Sequence, residues 1–314
     1  MPSPTPLVAR GLRKLYGDTL ALDGFDLEVA PGTVHALLGP NGAGKSTAVH
    51  TFATLTRCDE GEVRVAGHDV RREGAAVRRA IGLVGQSAAL DEVLFGRENL
   101  VMLARLHGLS RREAGSRADE LLAGFGLAEA GGRKVAAYSG GMRRRLDIAA
   151  SLIRRPHLLF LDEPTTGLDP RGRNEVWAAI RRVVAEGTTV LLTTQYLDEA
   201  DQLADRITVM GTGRVIAEGT AAELKDRLGG DRVIVTAPGD TGAAVARALG
   251  APLDADTGRV TVEAAEQGGT AALLATVRAL DAAGLEVDDV LLRRPTLDEV
   301  FLHLTDPTTA EVAR

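Results

Sequence analysis

The chain has 314 residues, 45% hydrophobic and 25% charged but only 3% aromatic, with a formal net charge of -6. That length suggests two domains, each able to bury a core, and the acidic balance argues against nucleic acid as the main partner. A single cysteine, Cys58, excludes an intrachain disulfide and a zinc cluster and fits a reducing cytoplasm. Met1–Pro6 has neither the basic region nor the apolar core of a signal peptide. No apolar run approaches the roughly 18 residues that cross a bilayer, so work at a membrane would go through a partner.

In chain order, residues 7–38 alternate short apolar runs with turns, which predicts a small antiparallel sheet. Tyr16, just before a turn, can stack on a flat ligand such as adenine or simply pack that turn. Val34–Leu38 is a short apolar strand, and Gly39-Pro40-Asn41-Gly42-Ala43-Gly44-Lys45-Ser46-Thr47 follows it. The run fits G-x-x-x-x-G-K-[ST], and Ala48–Ala53 continues it as a helix, so the phosphate loop has its strand–loop–helix context. Gly42 and Gly44 let backbone N–H groups turn toward a phosphate chain. Lys45 is then expected on the β- and γ-phosphates of a nucleoside triphosphate, and Ser46 on Mg²⁺.

Two strands, Gly61–Gly67 and Ile81–Gln86, come next, and Gln86 ends the second where a polar side chain can face a ligand. Leu100, Leu103, Ala104 and Leu106, then Leu121, Leu122 and Phe125, recur at helical spacing. Ser110 and Glu113 form a capping box between them. Ser139-Gly140-Gly141 opens another helix, either as an anion-binding turn or as an ordinary cap. Arg143–Arg145 behind it are expected to be helix-surface charges, since no aromatics interleave with them.

Leu158–Glu163 is an apolar parallel strand ending in two carboxylates. Beside a phosphate loop, Asp162 is expected to bind Mg²⁺ and Glu163 to polarise the attacking water. A turn cluster through Asp169 precedes the helix Gly172–Glu186, whose Trp177 and Ile180 are assigned to the core. Thr188–Thr194 is a further buried strand, ending at Gln195. A helix over 197–204, a strand over 206–210 and a hairpin at Gly211–Gly213 complete a largely parallel α/β domain.

The order of phosphate loop, Gln86, Ser139-Gly140-Gly141, Leu158–Glu163 and Gly167-Leu168-Asp169 resembles the ATP-binding subunit of ABC transporters across roughly residues 7–225. The resemblance implies an ABC ATPase domain over 1–228, with an antiparallel β subdomain and a helical subdomain at about 88–145. It implies ATP and Mg²⁺ as cofactors, with Ser46, Gln86 and Asp162 around the metal and Tyr16 on adenine. It further implies a head-to-tail homodimer, in which the Ser139–Gly141 turn of one copy closes on ATP in the loop of the other and Asp169 communicates across the pair. A separate integral-membrane permease completes the machine, placing the chain at the cytoplasmic face of the membrane with no nucleic-acid partner.

Two positions depart from that pattern: Met142 stands where glutamine is usual, and Gln195 where most members have histidine. Glutamine can donate a hydrogen bond but cannot carry a proton, so slower hydrolysis is expected. The context Thr193–Ala200 is similar to the daunorubicin/doxorubicin-resistance type, which implies export of a hydrophobic or antibiotic-like compound. An ABC ATPase acting on ribosomes or nucleic acid is the competing class; such proteins carry paired ATP-binding domains, zinc cysteines or coiled coils that are lacking here. A small-molecule kinase is the other, and would leave Ser139–Gly141 and Gly167–Asp169 without use. Beyond a linker at Gly229–Gly230, residues 229–314 read as a βαββαβ accessory domain: strand 232–236, helix 241–249, a hairpin turning at Asp256–Gly258, helix 270–283 and strand 286–292. A capped amphipathic helix, Thr296–Leu304, follows, and His303 on it is assigned to an ordinary surface or half-buried position.

Overall fold

The computed structural model describes residues 5–86, 89–226, 231–238, 241–254, 257–264 and 268–305, with the backbone only for 303–305. Gly229–Gly230, Asp256 and the side chain of His303 lie outside the described residues. The chain divides into two compact units, Met1–Glu218 and Gly219–Arg314, ten residues before the boundary expected after residue 228.

The first unit begins with β1 (Leu7–Tyr16), β2 (Thr19–Val29), β3 (Val34–Leu38), α1 (Lys45–Phe52), β4 (Glu60–Val65), β5 (His68–Asp69), α2 (Gly74–Ala80) and β6 (Ile81–Val84). The helical stretch is α3 (Gly96–Leu106), α4 (Arg111–Gly124) and α5 (Gly140–Ser151). Then come β7 (Leu158–Asp162), α6 (Pro170–Ala185), β8 (Thr189–Thr194), α7 (Leu197–Leu203), β9 (Arg206–Gly211) and β10 (Arg214–Gly219). Strands β2-β1-β4-β5 form one sheet, so Gly61–Gly67 joins the antiparallel strands and not the parallel sheet. The second sheet runs β10-β9-β3-β8-β7-β6, and β3, β6, β7, β8 and β9 pair in parallel.

Local chemistry explains the boundaries. Ser110 Oγ accepts the Glu113 N–H at 3.3 Å, and Glu113 Oε2 accepts the Ser110 N–H at 2.8 Å, a reciprocal cap that starts α4. All residues of β3, β7 and β8 are buried, as continuous apolar runs between covered faces require. Helix α1 lies between the two sheets: Phe52 packs on Phe25 of β2 at 6.4 Å and on Phe160 of β7 at 6.1 Å between ring centroids. All three rings are fully buried, each contributing about 1.5–3 kcal/mol of apolar burial. The helix that carries the phosphate loop is therefore fixed from both sides.

The second unit comprises α8 (Ala221–Asp226), β11 (Arg232–Thr236), α9 (Gly242–Leu249), β12 (Leu253–Asp254), β13 (Arg259–Glu263), α10 (Gly269–Ala282), β14 (Asp289–Arg293) and α11 (Leu297–Thr305). Its sheet has the order β12-β13-β11-β14 and is antiparallel throughout. Val233, Val235, Val245, Val260 and Leu280 form its core. The strand expected over 286–292 starts only at Asp289, because the Leu285 N–H closes on the Leu280 carbonyl at 3.1 Å and prolongs the turn after α10.

His35 on β3 is 1% exposed, and its Nε2 meets Thr208 Oγ1 of β9 at 2.8 Å. Burial lowers its pKa to about 4, with Glu218 opposing and Arg206 reinforcing the shift. The folded chain therefore favours neutral histidine; the contribution is complete above the ordinary value of 6.5 and is lost as pH falls toward 4. The full loss is about 3 kcal/mol. Urea midpoints of the native chain should fall more steeply from pH 7 to pH 4.5 than those of His35→Gln; parallel curves would contradict this.

Candidate functional site

The phosphate loop is held by its backbone. The Gly39 N–H donates to the Thr194 carbonyl at the end of β8 at 3.2 Å, and the Gly213 N–H donates to the Ala43 carbonyl at 3.0 Å. Gly44 has φ 100°, and a Cβ there would collide with the Ala21 carbonyl. Gly42 also has positive φ, but a Cβ on it would meet nothing within 4 Å, so its surroundings are open. No side chain caps α1, which leaves its first N–H groups for an external acceptor. Lys45 is 4% exposed and donates to the carbonyls of Gly39 at 2.7 Å and Pro40 at 2.9 Å. Its ammonium is 3.9 Å from Glu163 Oε1. Burial lowers the Lys45 pKa, while Glu163 and Asp162 raise it.

Asp162, 3% exposed, is the point on which the predicted residues converge. Its Oδ1 accepts from Thr193 Oγ1 at 2.5 Å and Ser46 Oγ at 3.2 Å, and its Oδ2 lies 3.5 Å from Gln86 Nε2. The set is one carboxylate, two hydroxyls and one amide, and no group of three His, Cys, Asp or Glu able to hold a metal occurs among the described residues. Oxygen donors that few suit a hard cation completing its shell with water and phosphate. Glu163 follows with φ 48°, its N–H donating to both the carbonyl and Oγ1 of Thr193 at 3.1 Å. Its Oε2 accepts from Thr166 at 3.3 Å. A non-glycine residue in that conformation is held there by its surroundings, here the doubled bond to Thr193.

The other predicted residues are engaged elsewhere. Ser139 caps α5, its Oγ accepting the Met142 N–H at 3.2 Å. Gly141 is a packing glycine as well: a Cβ would sit 3.0 Å from the Gly172 Cα of α6. Asp169 caps α6, accepting the Gly172 N–H at 2.9 Å. Tyr16 is 48% exposed, with the Lys14 ammonium 5.2 Å from its ring centre. Gln195 is half-buried between β8 and α7. A cavity of about 310 Å³ brings Gln86, Glu163 and Gly140 onto one wall system with Thr166 and Leu168. Trp177 is core as expected, yet its Nε1–H also donates to Glu199 Oε1 at 3.1 Å, which accepts Thr165 Oγ1 at 2.7 Å. Burial raises the Glu199 pKa, opposed by those hydrogen bonds.

One expectation is overturned. Arg144 is not a surface charge: it is buried, and its guanidinium donates to the carbonyls of Gly85, Asp162, Glu163 and Pro164. Helical spacing held the signal, because Gly141, Arg144 and Ile148 share the buried stripe of α5. Arg145 is half-buried against the Phe125 carbonyl and Glu175, and Arg143 pairs with Glu92 at the surface. Thr193 was also missed as a site residue, since a threonine inside a buried strand carries no pattern of its own.

A family model described as "ABC transporter" matches residues 22–166. The chain is 61% identical to the daunorubicin resistance ATP-binding protein DrrA3 of Streptomyces coeruleorubidus, covering 96% of each chain. The chain belongs to the ABC transporter ATP-binding subunits of daunorubicin/doxorubicin-resistance type. It is also 51% identical to the daunorubicin/doxorubicin resistance ATP-binding protein DrrA of Streptomyces peucetius, over 96% of this chain and 94% of that one. The dimeric, post-hydrolysis state of the ATP-binding cassette MJ0796 with ADP and phosphate superposes with a TM-score of 0.62 at 27% identity, covering 68% of this chain and 98% of that one. The fold is thus the ABC ATPase fold, and the chain is the ATP-hydrolysing subunit of a drug-export-type ABC transporter. Subunits of this family dimerise and work with membrane permeases.

The geometry makes Thr193 testable. Thr193→Val keeps the shape but strips the hydroxyl from Asp162 and from the Glu163 N–H. A loss of about 1–3 kcal/mol in stability is expected, with ATP turnover at least tenfold lower. Unfolding curves and steady-state hydrolysis measure both; unchanged turnover would contradict the role of this hydroxyl.

Proposed function

We propose that this chain energises export of a hydrophobic or amphiphilic antibiotic-like compound, hydrolysing Mg²⁺-ATP between two copies docked head to tail at the cytoplasmic face of the membrane. The observation that supports it best is the convergence of Ser46, Gln86, Thr193 and, through Glu163, Lys45 on the Asp162 strand end. Backbone N–H groups from Gly44 to Thr47, at the uncapped start of α1, cradle the phosphates, and Lys45 turns from the Gly39 and Pro40 carbonyls to the β- and γ-phosphates. Ser46, Asp162 and Gln86 would hold Mg²⁺, which when bound supplies charge neutralisation at the transferring phosphoryl group. Glu163 takes a proton from the water whose oxygen bonds to phosphorus as the bond to the ADP oxygen breaks. Gln195 donates an amide hydrogen bond to the γ-phosphate and leaves all proton transfer to Glu163.

A single copy presents Ser139 and Gly140 exposed at the start of α5, a second anion-binding helix terminus. Placed against ATP in the loop of a second copy, it makes the nucleotide an adhesive whose hydrolysis weakens the contact. Exposed Tyr16 stacks on adenine, contributing on the order of 1 kcal/mol, and Asp169 links the copies. Among the described residues no helix is long and apolar enough to cross a membrane, so passage belongs to a separate permease. The cargo class follows the drug-resistance names of the relatives.

Steady-state hydrolysis should show Glu163→Gln reduced at least 100-fold while still binding ATP, a loss within the roughly 10²–10⁴-fold range of general-base removal. Gln195→His should raise turnover, and the cognate permease should stimulate the native chain. Wild-type turnover in Glu163→Gln would sink the base assignment, and a permease that neither binds nor alters the rate would sink the export reading.

A further inference from the structure

Arg144 is a fork that touches three parts of the ATPase unit at once. Its Nε donates to the Pro164 carbonyl at 2.9 Å, its Nη2 to Asp162 and Glu163 carbonyls at 2.9 and 3.2 Å, and its Nη1 to the Gly85 carbonyl at 2.6 Å. One turn further along α5, Asp147 lies 3.7 Å from that Nη1 and its Oδ1 accepts the Ala89 N–H at 3.3 Å. The two side chains thus grip the backbone on either side of Gln86: Arg144 before it and Asp147 after it. Both are buried, so water competes poorly for these bonds and their geometry is rigid. Burial lowers the Arg144 pKa and raises that of Asp147, each countered by the other.

The consequence is mechanical. Ser139, five residues before Arg144, caps helix α5, so the turn that addresses a second copy and the clamp on Asp162–Pro164 ride on one rigid element. We propose that Arg144 is a positioning residue for hydrolysis: through its four carbonyl contacts it makes the docked state of the Ser139 turn set the placement of Glu163 and Gln86 together. This rests on the ATPase reading given above and adds to it the physical link between dimer closure and the base. Lysine cannot replace the fork, because a single ammonium cannot span carbonyls that flank the guanidinium plane from Gly85 to Pro164.

The test compares the native chain with Arg144→Lys, Arg144→Met and Asp147→Asn, in ATP turnover, KM, equilibrium ATP binding and thermal unfolding. We expect kcat to fall at least tenfold in Arg144→Met and at least threefold in Arg144→Lys. ATP affinity and KM should stay within about threefold of native, since the Lys45 loop is untouched. Amide exchange should rise at Gln86 and Ala89 in both Arg144 variants and in Asp147→Asn, while β3 stays protected. If Arg144→Met fails to fold, Arg144→Lys alone carries the test. Native kcat in Arg144→Lys, or a kcat loss matched by the loss of folded protein, would overturn the proposal. Glu163→Gln is the control: if that variant hydrolyses ATP normally, the parent reading fails instead of this one.

Discussion

A carboxylate buried at the end of a parallel strand must be satisfied from all sides, and much of this structure follows from satisfying Asp162. The requirement brings Thr193 of β8 beside it, Ser46 of α1 below it and Gln86 across from it. Thr193 is in reach because β8 runs between β3 and β7. From that central place, successive residues of one strand end do two jobs: the Thr194 carbonyl anchors the phosphate loop, and the Thr193 hydroxyl orients the carboxylate. The packing of Phe52 between Phe25 and Phe160 then holds the loop's helix against both sheets, so the site cannot drift relative to either.

The parts that were legible in sequence are those whose chemistry needs a fixed local spacing. The phosphate loop, the Asp162-Glu163 pair and the capping box at Ser110 are contiguous motifs, and local backbone geometry decides them. The order of strands was not legible. Fully buried runs such as Leu158–Leu161 and Val190–Leu192 have no alternation to fix a neighbour, and nothing local assigns Gly61–Gly67 to the antiparallel sheet. Arg144 was expected on the helix surface because no aromatics interleave with the Arg143–Arg145 run, a criterion blind to the buried stripe of α5. Its helical position beside Gly141 and Ile148 places it inward, where a guanidinium is tolerated only if backbone carbonyls meet it.

The second unit shows a different division of labour. Identity to the daunorubicin resistance protein extends over 96% of both chains, so the likeness embraces most of Gly219–Arg314 as well as the ATPase unit. Its core is built from Val233, Val235, Val245, Val260 and Leu280, small aliphatic residues suited to an antiparallel sheet under two helices. The residues proposed above to carry hydrolysis, the phosphate loop with Asp162, Glu163 and Gln195, all fall within Met1–Glu218.

The central claim is that Asp162, oriented by Thr193 and flanked by Ser46 and Gln86, is the metal-binding carboxylate. The most direct measurement is a Mn²⁺ titration of the ATP-bound protein followed by electron paramagnetic resonance, comparing the native chain with Asp162→Asn. The account predicts protein-held Mn²⁺ in the native chain and at least tenfold weaker binding in the variant, with ATP still bound. Equal Mn²⁺ affinity and an unchanged spectrum in Asp162→Asn would contradict it.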